Sequence, residues 1–229
     1  MLRRVRTVGS WLVHLYTASS AVFGLWAVRA VFAHDYRLAM LLMLVTLAID
    51  ATDGALARAL DVRGRLPWFD GRRLDDICDY FTYVLVPACF LTETGLLPHP
   101  AWAALPVLAS AYGFSRADAK TEDHFFLGFP SYWNVVAIYL FLLQVPPGMG
   151  LAITLVLSSA VFVPLRYLYP SRTRVLRPLT LTVLSLWVVG FFWLVIRPNP
   201  LWLRLSLAGP LYYVGLSLIL NLPRLRRAN

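Results

Sequence analysis

Four aspartates stand in two closely spaced pairs, Asp50 with Asp53 and Asp75 with Asp79. Residues three and four apart lie on the same face of a helix, so each pair predicts two carboxylates on one helix face. Strongly apolar sequence flanks both pairs. A carboxylate at membrane depth costs roughly 2.5 to 3.5 kcal/mol on insertion scales, so a set of four predicts a partner that outweighs this cost.

Divalent metal is the partner that these ligand types favour. Oxygen ligands select Mg²⁺, Mn²⁺ or Ca²⁺, and Mg²⁺ in proteins is usually held by carboxylates together with substrate phosphates. The predicted chemistry is phosphoryl-type transfer, in which paired metal ions bind a diphosphate and a spare carboxylate takes a proton. For any single aspartate the alternative is a helix cap or an ion pair with Arg58, Arg72 or Arg73, but the spacing of the whole set favours the metal site.

Composition predicts an integral membrane protein. Of the 229 residues 59% are hydrophobic and 14% charged, and the mean hydropathy is +0.65. The net charge of +9 does not indicate nucleic-acid binding, because the basic residues form short flanks between apolar runs. Cys78 and Cys89 share one apolar segment and indicate neither a disulfide framework nor a zinc site.

The predicted fold class is all-α: a polytopic bundle of about eight transmembrane helices that forms a single membrane domain over residues 1–229. About 20 apolar residues are needed to cross a bilayer, and prolines separate several of the runs. The predicted spans are 10–33, 36–60, 73–97, 100–118, 128–146, 149–169, 176–196 and 200–221.

The basic residues sort to one side of these spans. An even number of spans places both termini on the same side, and only Arg29, Arg37, Arg197 and Arg204 of the 21 Lys and Arg residues then lie on the opposite side. Cytoplasmic loops carry the excess of basic residues, so both termini and the four aspartates are predicted to face the cytoplasm.

The stretch from Asp50 to Asp79 resembles the signature of the CDP-alcohol phosphatidyltransferase family. That signature reads Asp, two residues, Asp-Gly, two residues, Ala-Arg, a gap, Gly, three residues, Asp, three residues, Asp, and every fixed position matches. The gap departs from the pattern, because residues 59–70 make twelve where eight are usual. The longer gap and the segment 120–134 are similar to the bacterial phosphatidylcholine synthases within this family.

The resemblance implies a metal-dependent transfer of the phosphatidyl group from CDP-diacylglycerol to choline, with release of CMP, at the cytoplasmic face of a bacterial inner membrane. It implies Mn²⁺ or Mg²⁺, with two ions, held by Asp50, Asp53 and Asp75. Asp79 either completes the binuclear site or acts as the base for the choline hydroxyl, and both roles stay open. The residues implied to line the nucleotide and its diphosphate are Asp53, Gly54, Ala57, Arg58, Gly71 and Asp75.

Choline recognition is expected to use aromatic faces and nearby negative charge, because a quaternary ammonium cannot donate hydrogen bonds. Aromatic and acidic residues are available at the start of the third span and around residues 112–134, where Tyr132 is one of several aromatic residues. The candidates for choline contact are Tyr80, Tyr83, Tyr112, Glu122, Asp123 and Trp133.

Two other readings stay open from the sequence. A serine, inositol phosphate or glycerol phosphate acceptor would keep the same aspartates, although a phosphorylated acceptor should require dedicated Arg or Lys residues. A cation transporter would also use intramembrane carboxylates, but ten of the twelve acidic residues lie on the predicted cytoplasmic side between Asp50 and Asp123. The expected partners are CDP-diacylglycerol, choline and the bilayer, with no nucleic acid, and a homodimer is compatible with the sequence.

The charge asymmetry yields a test of topology. A reporter fused to the C-terminus and a thiol label placed near Arg65 should both be accessible only from the cytoplasm, because seventeen of the 21 basic residues sort to that side. The accessibility of both positions is measured by comparing labelling in intact cells with labelling in inverted vesicles. Periplasmic accessibility of either position would overturn both the span count and the side assigned to the aspartates.

Overall fold

A computed structural model of the chain describes residues 2–222, with side chains from residue 7 onward. Several basic residues used to predict topology therefore cannot be placed. The side chains of Arg3, Arg4 and Arg6 lie outside the described part, as do Arg224, Arg226 and Arg227.

The first two helices form an antiparallel pair. Helix α1 spans Leu2–Phe32 and α2 spans Tyr36–Ala59. The Asp35 side chain accepts a hydrogen bond from the backbone N–H of Leu38, which satisfies an otherwise unpaired donor at the start of α2. The pair places the end of α2, with its aspartates, beside the N-terminal half of α1. The sequence predicts that this half faces the cytoplasm.

The third predicted span is one continuous helical stretch with an irregular middle. Helix α4 spans Gly71–Asp79, a π-helical segment covers Tyr80–Leu85, and α5 spans Val86–Glu93. Pro87 follows the π-helical segment, and a proline lacks the N–H that the preceding turn needs, so a widened turn accommodates it. A short helix, α3 (Val62–Arg65), lies in the connector before α4.

The remaining helices complete the bundle. A 3₁₀ turn at Pro100–Ala103 leads into α6 (Ala104–Ser115). The later helices are α7 (Trp133–Leu142), α8 (Pro147–Ala160), α9 (Arg177–Ile196), α10 (Pro200–Ser206) and α11 (Ala208–Leu220). The fully buried residues at the centre of the core include Met43, Leu44, Phe90, Leu91, Trp133 and Ile138.

Two predicted spans reach too far. The helix in the predicted span 128–146 begins only at Trp133. The predicted span 149–169 includes strand β2 (Arg166–Leu168), which pairs antiparallel with β1 (Phe125–Leu127). Pro164 blocks continuation of α8, and Gly128 has a positive φ of 86° that ends β1 before α7 begins. The sheet ties the connector before α7 to the segment after α8.

By length and composition, four helical stretches among residues 2–222 could cross a membrane: Thr7–Phe32, Tyr36–Ala59, Arg177–Ile196 and Pro200–Leu220. Trp133–Leu142 and Pro147–Ala160 are apolar but shorter. The structure thus has the character of a helical membrane protein, and the count of eight spans stays a prediction.

Candidate active site

Three of the four predicted aspartates converge between α2 and α4. Asp50, Asp75 and Asp79 each offer a carboxylate oxygen, and these three atoms lie within 4.8 Å of one another. The helical spacing produces this convergence, because Asp75 and Asp79 lie one turn apart on the face of α4 toward α2. The group is half-buried, so water only partly screens the repulsion between its charges.

Asp53 lies one turn beyond Asp50 and adjoins the same group. Its side chain is 5% exposed, and its Oδ2 accepts a 2.7 Å hydrogen bond from the hydroxyl of Thr17 on α1. It also lies within side-chain hydrogen-bonding reach of Asp75. Helix α1 therefore orients one of the four predicted ligands.

Tyr83 orients another carboxylate. Its hydroxyl donates a 2.6 Å hydrogen bond to Oδ2 of Asp50. The ring of Tyr83 lies 5.8 Å from that of Tyr132, measured between centroids, and the ring of Tyr132 lies 5.6 Å from that of Tyr213. Three tyrosines from the π-helical segment, the start of α7 and α11 thus form an aromatic wall that begins at the aspartates.

The arrangement fits a divalent cation better than the cap or ion-pair alternatives. Helix α4 is capped by Asp70, whose side chain accepts a hydrogen bond from the N–H of Arg73 at 3.1 Å, and not by any of the four aspartates. The ion pairs found among the described residues join Arg116 to Asp118, Lys120 to Asp76, and Arg166 to Asp123. Oδ1 of Asp75 is buried without a hydrogen-bond partner in the described part of the chain. A buried charged oxygen without a partner is costly, and a hard cation with oxygen preference is the ligand that would satisfy it.

Lys120 is a cation beside the aspartates whose partner the structure identifies. Its ammonium contacts Oδ1 of Asp76 at 3.2 Å, so it neutralises the aspartate that lies outside the converging set. Burial lowers the pKa of Lys120, but the charges of Asp76, Tyr169 and Asp75 raise it more, and the pKa lies above its ordinary value. Lys120 is therefore protonated at neutral pH and fastens the connector after α6 onto α4.

The residues predicted to line the nucleotide fall around the same helix ends. Gly54, Ala57 and Arg58 follow Asp53 on α2, and a Cβ at Gly54 would lie 3.2 Å from Nη1 of Arg58. The space beside Gly71, at the start of α4, holds the imidazole of His14, since a Cβ there would lie 2.6 Å from its Cε1. Sequence reasoning did not single out His14, because only the packing of α1 against α4 brings it to the signature glycine.

The residues predicted to contact choline are dispersed. Tyr83 reaches the aspartates, whereas the hydroxyl of Tyr80 donates to the carbonyl of Val107. Trp133 is fully buried, with its indole N–H donating to Ser110.

The other three candidates lie toward the connectors. Tyr112 is exposed and packs on Phe162. Glu122 is exposed, and Asp123 pairs with Arg166 on β2. The structure adds Tyr213, which the sequence could not associate with the site because it lies on the last helix, and it singles out Tyr132 among the aromatic residues around 112–134.

The sequence is similar to a known protein family. The CDP-alcohol phosphatidyltransferase family matches residues 8–165. A protein of Legionella pneumophila named phosphatidylcholine synthase is 39% identical, with 94% of this chain and 88% of that protein covered. Proteins with the same name from Pseudomonas aeruginosa and Agrobacterium fabrum are 35% and 32% identical; each comparison covers 91% of this chain and 90% of the relative.

The convergence of carboxylates yields a prediction for metal binding. Asp75→Asn should remove most Mn²⁺ binding, measured as a loss of the Mn²⁺-induced rise in unfolding temperature of the protein in detergent. Without metal the variant should unfold at or above the wild-type temperature, because one of several mutually repelling charges is gone.

Asp61→Asn is the matched control. Asp61 is exposed in the connector, and its left-handed backbone (φ 46°) accepts Asn. This variant should keep the wild-type response to Mn²⁺. A wild-type response in Asp75→Asn would contradict the metal site.

Proposed function

The chain belongs to the CDP-alcohol phosphatidyltransferase family, and on this premise we propose that it transfers the phosphatidyl group of CDP-diacylglycerol to choline, forming phosphatidylcholine and CMP. The observation that carries the proposal is the convergence of Asp50, Asp75 and Asp79 within the family signature. The family assignment also removes the reason to treat the carboxylates as part of a cation transporter.

The metal ligands that we propose are Asp50, Asp53, Asp75 and Asp79, with Mn²⁺ or Mg²⁺ and two ions. When bound, such ions neutralise the diphosphate and polarise its phosphorus–oxygen bonds. Thr17 and Tyr83 hold Asp53 and Asp50 in place by donating hydrogen bonds, which preorganises the ligands before substrate arrives.

In the proposed reaction the hydroxyl oxygen of choline forms a bond to the phosphorus that carries diacylglycerol. The bond from that phosphorus to the oxygen that bridges the two phosphates breaks, and CMP leaves with the bridging oxygen. Asp79 takes the hydroxyl proton, as a general base must lie within reach of the proton that it removes. This role is supported by its position on α4, one turn from Asp75 and within the converging carboxylates.

We assign the nucleotide and diphosphate to the ends of α2 and α4. Gly54 and Ala57 leave room for close approach, and the Arg58 guanidinium offers several donors to phosphate oxygens. The diacylglycerol half of the CDP-diacylglycerol substrate then lies along the apolar helix surfaces, as a lipid substrate requires. The same orientation supports a cytoplasmic-facing site in an inner membrane, with the whole chain as one domain.

For choline we retain Tyr83 and add Tyr132. Tyr83 bonds to Asp50 and the ring of Tyr132 packs against that of Tyr83, and the face of an aromatic ring attracts a quaternary ammonium. A phosphorylated acceptor would instead need free cations at this wall; Lys120 is engaged with Asp76, and Arg172 and Arg177 lie close to Arg58, which we assign to the diphosphate. The tyrosine wall therefore favours choline over inositol phosphate or glycerol phosphate.

The acceptor assay tests this function directly. Purified protein with CDP-diacylglycerol and Mn²⁺ should release CMP with choline, and much less with serine, inositol phosphate or glycerol phosphate, because these acceptors lack the quaternary ammonium. CMP is quantified for each acceptor in turn. Release that is faster with any of the other three would refute choline as the acceptor.

The tyrosine wall yields a second prediction. Tyr132→Leu should raise the choline KM by about 2- to 30-fold, which corresponds to ~0.5–2 kcal/mol for one cation–π contact, with little change in the KM for CDP-diacylglycerol. Tyr132→Phe should keep the choline KM near wild type, because it keeps the ring.

Tyr212→Leu serves as the control for this series. Tyr212 neighbours Tyr213 on α11, but its hydroxyl pairs with Thr180 of α9. Its choline KM should remain that of the wild type. Equal effects of Tyr132→Leu on both substrates would argue that the wall is only structural.

A further inference from the structure

His14 lies in an aromatic cluster at the connector side of the aspartates. Its ring centroid is 4.5 Å from that of Phe69 and 5.8 Å from that of Trp11. Trp68 lies 5.5 Å from Trp11, and its side chain is 71% exposed. Phe69 and Trp68 belong to the twelve-residue gap that distinguishes this chain from the usual family signature, so the longer connector supplies half of the cluster.

The position of His14 is fixed relative to the metal ligands on two helices. On α1, Thr17 contacts Asp53 and His14 lies one turn nearer the N-terminus, about 4.5 Å along the axis. On α4, Gly71 lies against the imidazole, and Asp75 follows one turn later, about 6 Å along the axis. Both helices therefore place His14 one turn from the aspartates, toward the connector of residues 60–70.

His14 is 7% exposed, and its Nε2 is buried with no hydrogen-bond partner in the described part of the chain. Buried polar atoms in native proteins nearly always have a partner, and each exception requires an explanation. The edge of the ring that carries both nitrogens faces Gly71, since a Cβ there would meet Cε1 first, then Nδ1 and Nε2. Membrane-interface packing explains an exposed Trp68, but it does not explain an unpartnered imidazole nitrogen.

The substrate itself specifies what must lie at this level. With the diphosphate at the aspartates and the acyl chains in the apolar bilayer, the nucleoside has to extend the opposite way, toward the connector. A pyrimidine base presents a flat apolar face and a polar edge, and aromatic side chains with one hydrogen-bonding group match both.

We propose that the cluster of Trp11, His14, Trp68 and Phe69 is the binding site for the pyrimidine base of the liponucleotide, with Nε2 of His14 hydrogen-bonded to the base. The inference rests on the proposed function for the identity of the substrate. It assigns recognition of the base to α1 and to the extended connector. The residues that they contribute lie outside the fixed positions of the family signature.

Binding of CMP to the full chain in detergent with Mn²⁺ tests the inference, with inorganic pyrophosphate as the probe of the aspartate site alone. His14→Phe keeps the aromatic packing but removes both nitrogens. It should raise the Kd for CMP about five- to twentyfold, the loss expected for one hydrogen bond in a buried site, and leave the Kd for pyrophosphate unchanged. His14→Gln, whose amide reaches the Nε2 position, should stay within about threefold of wild type.

His99→Phe is the control, because His99 is exposed, lies outside the cluster and has an extended backbone (φ −151°) that accepts Phe. An unchanged CMP Kd in His14→Phe, or an equal loss of CMP and pyrophosphate binding, would overturn the inference. If His14→Phe does not extract as folded protein, His14→Asn against His14→Gln decides, because only the longer amide reaches Nε2, and equal CMP affinities would overturn the inference.

The acceptor assay separates this inference from the proposed function. A base site that depends on His14 together with CMP release to another acceptor supports the inference and refutes choline. No binding of CMP to the wild type, together with CMP release to choline in the acceptor assay, would overturn the inference and leave the proposed function standing.

Discussion

Mutual repulsion among carboxylates is the constraint on which the rest of this structure depends. Asp50, Asp75 and Asp79 bring oxygen atoms within 4.8 Å of one another in a half-buried position, and Asp53 adjoins them. Like charges at such distances repel strongly when water is partly excluded. Three features keep them together: their spacing along α2 and α4, the hydrogen bonds that Thr17 and Tyr83 donate to Asp53 and Asp50, and the packing of α1 on α2 and α4. An arrangement held against its own electrostatics is typical of a site built for a cation and an anionic substrate.

The converging aspartates are one of three neighbouring surfaces in the proposed site. The ends of α2 and α4 supply the carboxylates that we assign to the diphosphate. The tyrosine wall lies on the side of Asp50, and the His14 cluster lies one turn toward the connector. Lys120 fastens the connector after α6 to Asp76, and the short sheet of β1 with β2 holds the far end of that connector. In our proposal the three surfaces follow the substrate's own order of lipid, diphosphate and nucleoside, with the tyrosine wall for the acceptor beside the phosphates.

The aspartates could be predicted from sequence because helical periodicity is local: the spacing of Asp50 with Asp53 and of Asp75 with Asp79 already defines their faces. The tyrosine wall and the His14 cluster could not, because Tyr132, Tyr213 and His14 reach their partners only through packing between distant helices. The same limit explains the overextended span 149–169, since residues 166–168 form β2 only through pairing with residues 125–127, about 40 positions away in the chain. Local signals were present for the breaks themselves, in Gly128 and Pro164.

Anomalous scattering at the manganese edge, from crystals of the protein grown with Mn²⁺ and CMP, tests the central claim most directly. A divalent cation held by the converging carboxylates predicts anomalous peaks bounded by Asp50, Asp75 and Asp79, with Asp53 adjoining. Full occupancy of the crystal by CMP without any manganese peak at these side chains would contradict the claim, as would basic side chains moving in to pair with them.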